Sequence, residues 1–260
     1  MKMNGKQTKI FKWVLAILSL LASGDLFFVM GTEIYRNQLI GVKVHLSFYL
    51  PIIFFALLFI VIAGLYFIIE KRSIRIVQNS LLIITLGFTF ASIFTSWPAF
   101  LSMDQEWLTM INELLLSITV IAGLVFTNMP SLTDNKHILL FCLKFVNVLL
   151  ALFAGVYIFV ALSVGGSMFL QLPIWQQNLA IVGLIVLMML NLVYAIVIWL
   201  KHYHGWWTWI CAVLIAIEIN WPFFHGNSMI PVLSLWMGIL QAIVILIAIF
   251  GMNYLNEKLN

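Results

Sequence analysis

The chain has 260 residues, of which 64% are hydrophobic and only 8% are charged, and its formal net charge is +4 at pH 7. Soluble domains carry about 25% charged residues, and a soluble fold of this length cannot bury so much apolar surface. The composition therefore excludes a soluble globular protein and indicates that a lipid bilayer surrounds most of the chain.

About eight apolar runs follow one another, and each is close to or above the roughly 20 residues that a helix needs to cross a bilayer. The predicted spans are 11–32, 46–69, 77–102, 107–128, 137–163, 174–200, 206–225 and 230–255. Strand-like alternation is absent, which argues against a barrel. We predict one all-α polytopic membrane domain over residues 1–260. The first run is expected to be retained rather than cleaved as a signal peptide, because it resumes at 26–30.

Basic residues lie on alternate connections between the predicted helices. One side of the membrane receives most of them: Lys2, Lys6, Lys9, Lys12, Lys71, Arg72, Arg75, Lys136, Lys201 and Lys258. The other side receives only Arg36 and Lys43. The positive-inside rule then places both termini in the cytoplasm. We expect a multi-pass protein of the inner or plasma membrane. Basic residues scattered over separate loops form no nucleic-acid-binding face.

This topology can be tested by labelling single cysteines in a variant whose two native cysteines are replaced by serine. A cysteine at position 105 is expected to react with an impermeant thiol reagent added outside the cell, whereas one at position 135 is expected to stay unlabelled. The reverse labelling pattern would invert the orientation of every helix.

Two nearly identical pentapeptides, SWPAF at 96–100 and NWPFF at 220–224, stand in equivalent places of the third and seventh spans. The segments that follow, at 113–126 and 237–250, also match in pattern and length. We predict two parallel four-helix repeats, 11–128 and 137–255. The alternative is that Trp97 and Trp221 are two independent interfacial anchors, since Trp is favoured at the headgroup layer.

Three acidic residues stand inside apolar runs, where insertion of each costs roughly 2.5–3.5 kcal/mol. Asp25 follows Gly24 and is expected either to break or kink the first helix or to line a site. Glu113 shares a helix face with polar residues at i−4 and i+4, which suits a packing seam or a cavity lining. Glu218 lies in an otherwise apolar helix and is predicted to face a cavity.

These acids and their neighbours are the predicted site for a small solute or an ion. The candidate residues, placed in the outer half of the membrane, are Glu218, Glu113, Asp25, Asn112, Asn220, Trp97 and Trp221. An acidic outer mouth attracts cations. The third helix adds a polar stripe on one face, Gln78, Thr85, Thr89, Ser92 and Ser96. That stripe indicates either close helix packing or a water-accessible path.

Sequence motifs for other chemistry are missing. We find no Walker loop, nucleophile elbow or His-Glu-x-x-His motif, so enzyme activity is disfavoured and no cofactor is predicted. Cys142 and Cys211 fall near cytoplasmic helix ends, where a disulfide is not expected. No metal site is predicted, although His45, His225 and Glu218 share the outer side.

A three-plus-one-plus-three grouping of the helices resembles, in outline, the bacterial nicotinamide riboside transporters, and GWWTW at 205–209 after a basic loop is similar as well. A glycine followed three residues later by Trp is expected late in two helices of that family. Here Phe126 follows Gly123 and Tyr254 follows Gly251 at that spacing. The resemblance therefore assigns no family.

The sequence favours a membrane protein that binds and translocates a small solute or cation through a polar cavity open toward the outer side. Two alternatives stay open. One is a non-catalytic membrane partner, such as an accessory subunit or an immunity or resistance protein. The other is a lipid- or quinone-handling membrane enzyme. The expected partners are the bilayer, the solute or cation, and other membrane subunits.

Overall fold

The fold is that of a computed structural model, which describes residues 5–43, 45, 49–101, 107–129, 134–164 and 173–200 and isolated positions within 210–217 and 243–258. Six α-helices lie in the described ranges, and these ranges contain no strand. The helices are α1 (Gly5–Leu39), α2 (Leu50–Ile68), α3 (Arg72–Leu101), α4 (Trp107–Asn128), α5 (Asn135–Val164) and α6 (Ile174–Leu200). The all-α prediction is thereby confirmed for the described residues.

Each of these six helices contains a stretch that is long and apolar enough to cross a membrane. They correspond to the first six predicted spans. The spans 206–225 and 230–255 fall largely outside the described residues, so the count of eight stays a prediction. Several boundaries differ: α1 begins at Gly5 and continues to Leu39, α2 begins only at Leu50, and α3 already begins at Arg72. Hydropathy marks only the apolar part of a helix, whereas polar turns beyond it remain helical.

The helix ends carry recognisable capping structures. After α1, the Val42 backbone N–H donates to the Asn37 carbonyl (2.9 Å) and that of Gly41 donates to the Gln38 carbonyl (3.1 Å). Gly41 has a φ of +73°, as this Schellman-type end requires. Before α5, the Asp134 carboxylate accepts from the His137 backbone N–H at 2.9 Å. Together with the His137 side chain, that bond holds the pKa of Asp134 below its ordinary value.

The chain divides into two compact units, residues 1–131 and 132–260. In the N-terminal unit, α1 packs against α2 and α4, and α3 packs against the same two helices. Successive helices are antiparallel: Lys12 near the start of α1 meets Glu70 after the end of α2. Asn37 near the end of α1 likewise donates to the Tyr49 hydroxyl at the start of α2 (3.1 Å). We call this unit the N-terminal bundle; its origin by duplication stays a prediction.

The interior of the N-terminal bundle is formed by large apolar side chains from three of its helices. Those with essentially no exposed surface are Phe59, Ile62, Leu82, Ile83, Leu86 and Leu124. Large apolar side chains are also exposed along the outer faces of α1, α2 and α4, and at Ile76 and Val77 of α3. An apolar outer face around a packed interior is the arrangement that a bilayer favours.

The antiparallel order brings the start of α1, the end of α2, the start of α3 and the end of α4 to one end of the bundle. Basic residues collect there, and we call it the basic end: Lys9, Lys12, Lys71, Arg72 and Arg75. Lys12 Nζ lies 3.0 Å from Glu70 Oε1. This hydrogen-bonded ion pair holds the pKa of the Glu70 carboxyl below its ordinary value. Which side of the membrane the basic end faces stays a prediction.

In the C-terminal unit, α5 and α6 pack together over most of their lengths. They are antiparallel, because the Trp199 ring near the end of α6 lies 5.2 Å from the Phe141 ring and 6.3 Å from the Phe145 ring near the start of α5. Further along, a Cβ on Gly155 would meet Asn191 at an ordinary contact distance of 3.7 Å. Small residues thus let these two helices approach closely.

Candidate functional site

The polar stripe of α3 faces the interior of the N-terminal bundle. Gln78, Thr85 and Thr89 are all buried, with at most 1% of their surface exposed. The Thr85 hydroxyl donates to the Leu82 carbonyl (2.9 Å), and the Thr89 hydroxyl donates to the Leu86 carbonyl (2.8 Å). These two hydroxyls satisfy themselves on their own helix, as close packing requires.

Further along the stripe, a side-chain hydrogen bond joins α3 to a predicted acid of α4. The Ser92 hydroxyl donates to Glu113 Oε1 at 3.3 Å, and both side chains are partly buried. Glu113 therefore lies against α3 rather than pointing straight into lipid. This contact fits both interpretations of Glu113. A helix-packing interface and the lining of a cavity would each place the carboxylate against a neighbouring helix.

The helix α1 continues through Asp25, so the predicted break at this residue is wrong, and the predicted kink stays a prediction. Its register with α4 follows from the stacked rings of Phe11 and Phe126, whose centroids are 6.2 Å apart. At a rise of 1.5 Å per residue, Asp25 lies about 20 Å from Phe11 along α1, and Glu113 lies about 20 Å from Phe126 along the antiparallel α4. The two acids therefore lie at the same height in the bundle.

We call this layer of the bundle the acid level, and its members are Asp25, Ser92, Asn112 and Glu113. Asn112 is buried, with 9% of its surface exposed, and one carboxylate oxygen of Asp25 is inaccessible to solvent. The acid level lies about 20 Å from the basic end along α1. If the basic end is cytoplasmic, the acid level lies in the outer half of the membrane.

The remaining predicted site residues are not brought to this level by the described structure. Trp97 belongs to α3, but its side chain lies outside the described part. Glu218, Asn220 and Trp221 also fall outside the described residues. Among the residues that the structure describes, no three His, Cys, Asp or Glu side chains are grouped to hold a metal ion. Neither Cys142 nor Cys211 forms a disulfide within the described part of the chain.

A second polar group, which the sequence did not single out as a site, lies near the basic end. Tyr66 of α2 and Gln78 of α3 both have 0% of their surface exposed. The Tyr66 hydroxyl lies beside the Gln78 side chain. However, neither it nor the amide nitrogen and oxygen of Gln78 makes a hydrogen bond of ordinary geometry to any described atom. Three polar atoms are thus enclosed without satisfied hydrogen bonds.

Gly123 of α4 completes this group. A Cβ built on Gly123 would overlap the Tyr66 hydroxyl oxygen and would approach the Leu82 methyl groups to 3.0 and 3.2 Å. The lack of a side chain at this position is therefore what admits the tyrosine hydroxyl. Tyr66, Gln78, Leu82 and Gly123 thus form a closely packed group where α2, α3 and α4 meet.

The side chain of Asn79, the residue after Gln78, takes part in several hydrogen bonds. Its Oδ1 accepts from the Thr127 hydroxyl at 2.6 Å and from Asn128 Nδ2 at 3.3 Å. The Asn128 amide also donates to the Leu124 carbonyl at 2.7 Å. This network ties α3 to α4 and leaves the adjacent Gln78 pointing at Tyr66. Asn79 therefore stabilises the packing of α3 against α4.

Sequence reasoning placed Gln78 on an interior face but gave no reason to join it to Tyr66 or Gly123. Tyr66 stands in an apolar run, and a tyrosine near a helix end is typical of the interfacial belt. Glycine is also common in membrane spans, so Gly123 did not stand out in the sequence. The grouping depends on three helices whose contributing residues are far apart in the chain. The one feature of the sequence that pointed to this group is the amide of Gln78 within a membrane span, because a polar side chain there needs hydrogen-bond partners.

The C-terminal unit also buries polar side chains within its helices. Lys144 and Asn147 of α5 and Asn191 and Tyr194 of α6 each have less than a tenth of their surface exposed. Asn147 Nδ2 donates to the Leu143 carbonyl at 2.8 Å. Lys144 lies in the first half of α5, on its buried face.

Comparison with models of known protein families, with curated proteins and with solved structures yields no match. The functional argument therefore depends on the chain's own residues.

Proposed function

We propose that this protein is a membrane transporter that binds a small solute or cation in the polar interior of its N-terminal bundle and takes it from the outer side. The observation that supports this most directly is the contact between Ser92 and Glu113, with Asp25 at the same height on α1. Helices long and apolar enough to span a membrane surround this level.

A carboxylate at this depth needs a compensating charge. A serine hydroxyl can donate one hydrogen bond, but it brings no positive charge. In the described residues the ion pairs are Lys12 with Glu70 and His137 with Asp134, and neither includes Glu113. A proton or a bound cation is what would make an ionisable carboxyl tolerable among membrane helices. The acid level is thus suited to take up and release a cation.

The charge distribution gives this uptake a direction. Basic residues collect at one end of the bundle, about 20 Å from the acid level. The positive-inside rule assigns the basic end to the cytoplasm and the acid level to the outer half. Cations then meet acidic groups first from outside. Glu218, the acid of the second half, is proposed from the sequence alone as a further member of the path.

The test is activity of the protein by itself. The full chain is reconstituted in liposomes that contain a pH-sensitive or a sodium-sensitive dye, and a potassium diffusion potential is applied, negative inside. Proton or sodium uptake is expected to exceed that of protein-free liposomes. If uptake of neither ion rises above the protein-free level, Glu113 is no cation acceptor and the accessory-protein alternative is favoured. A co-purified lipid or chromophore beside the acid level would instead favour the enzyme alternative.

A further inference from the structure

We propose that the basic end of the N-terminal bundle is an interaction surface for anionic phospholipids. The lipid phosphate lies against Lys9 and Lys71, and the acyl chains cover the rings of Trp13 and Phe67. This inference goes beyond the proposed function, because it concerns a lipid of the surrounding membrane rather than the transported species. It does not depend on transport activity.

The basic end carries more positive charge than its own carboxylate balances. Glu70 pairs with Lys12, whose Nζ lies 3.0 Å from Glu70 Oε1. None of the other basic side chains at this end forms an ion pair with a residue that the structure describes: Lys9, Lys71, Arg72 and Arg75. Lys9, Lys71 and Arg72 are exposed. Exposed cations in one place, with a single carboxylate among them in the described bundle, attract anions.

The stability of α3 does not explain why cations stand at its start. Lys71 precedes the helix, Arg72 and Arg75 belong to its first turn, and that turn contains no acidic residue. The start of a helix is the positive end of its dipole, so cations there are unfavourable. An anion from outside the chain offsets this cost.

Two exposed aromatic rings lie beside these charges. Trp13 of α1 and Phe67 of α2 meet edge to face with their centroids 4.9 Å apart, and 60% and 44% of their surfaces are exposed. Lys9 shares the face of Trp13 and lies about 6 Å further toward the basic end. Lys71 follows Phe67 by four residues in the same direction. An apolar surface with cations just beyond it matches a phospholipid, whose phosphate lies just beyond its acyl chains.

The position of this surface favours a lipid over a dissolved anion. Both α1 and α2 are long and apolar enough to span a membrane. Further into the bundle, Ile17 of α1 and Ile60 of α2 are exposed as well, so the two rings continue an apolar outer face. Trp at the end of a span is favoured at the headgroup layer, and clusters of basic residues beside spans are typical of anionic lipid binding. A free phosphate could contact the lysines but would leave both rings uncovered.

The experiment measures lipid binding to the detergent-solubilised full chain by native mass spectrometry. The probes are dioleoylphosphatidylglycerol, which is anionic, and dioleoylphosphatidylcholine, which has the same acyl chains and no net charge. The wild-type chain is expected to bind the anionic lipid more tightly. The double variant Lys9→Gln and Lys71→Gln is expected to weaken anionic lipid binding about 25-fold, at about fivefold for each cation, and to leave phosphatidylcholine binding unchanged.

The matched control is the double variant Arg36→Gln and Lys43→Gln, which removes two exposed cations at and just after the other end of α1. It changes the net charge by the same amount and is expected to leave binding of both lipids unchanged. Trp13→Ala is expected to weaken binding of both lipids to a similar extent, because the ring contacts the acyl chains. Thermal unfolding in detergent verifies that each variant is folded.

Equal binding of the two lipids by the wild-type chain overturns the inference. So does a preference for the anionic lipid that survives Lys9→Gln and Lys71→Gln in a folded chain. An equal loss in the control variant would show a general attraction between a cationic chain and an anionic lipid, which also contradicts a defined surface. If millimolar inorganic phosphate displaces the lipid where chloride of the same ionic strength does not, the surface binds the free anion and the lipid assignment is wrong.

Discussion

Liposomes that carry the Glu113→Gln variant are expected to take up cations at least about tenfold more slowly than liposomes with the wild-type chain. Glutamine keeps the shape of glutamate and can still accept the hydrogen bond from Ser92, but it can neither bind a proton nor balance a cation. A hydrogen bond to a charged group contributes about 1.5–3 kcal/mol, and 1.4 kcal/mol corresponds to a tenfold change in affinity.

The matched control is Glu70→Gln, which removes an exposed carboxylate at the basic end and breaks its ion pair with Lys12. Exposed ion pairs contribute little to stability, so this variant should fold and transport as the wild type does. Glu218→Gln is added to Glu113→Gln to ask whether the acid of the second half takes part. Full activity in the folded double variant would contradict the transport mechanism and favour the alternative that the protein is an accessory subunit.

Substitution of Gly123 by valine is expected to destabilise the protein by about 1–3 kcal/mol, the usual cost of overpacking. Even a Cβ at this position overlaps the Tyr66 hydroxyl and presses on the Leu82 methyl groups, and valine adds two more carbon atoms. The hydroxyl lies on a rigid ring within a filled interior, so it cannot move aside without displacing α2 from α4.

Gly64→Val provides the control within the same bundle, because a Cβ on Gly64 would meet no described atom within 4 Å. Both substitutions place a β-branched residue in a helix, so their helix propensities change alike. Thermal unfolding in detergent should therefore show a large loss for Gly123→Val and a small change for Gly64→Val. Equal losses would show that Gly123 does not owe its role to Tyr66.

Gln78 and the acid level are about 20 Å apart along α3, as the rise per residue from Gln78 to Ser92 indicates. Between them the stripe carries Thr85 and Thr89, whose hydroxyls are already bonded to their own helix. The bundle interior therefore contains neutral polar side chains near the basic end and acidic side chains toward the other end.

The described helices were largely predictable from sequence, because partition into a bilayer depends on sums of single-residue contributions over about 20 positions. The same reasoning found the interior face of α3, since polar residues at helical spacing avoid lipid. Helix ends were less accurate. The polar turns at 33–39 of α1 and 72–76 of α3 carry no hydropathy signal, and their helical state depends on capping and on neighbouring helices.

By itself, then, the sequence determined the class of the protein, the approximate positions of its helices and the three acids that a membrane makes costly. Only the tertiary structure decided which of these groups meet. The contact of Ser92 with Glu113, the shared height of Asp25 and Glu113, and the enclosure of Gln78 by Tyr66 and Gly123 depend on the rotation and register of separate helices. Those quantities arise from packing between side chains distant in the chain, which no local pattern records.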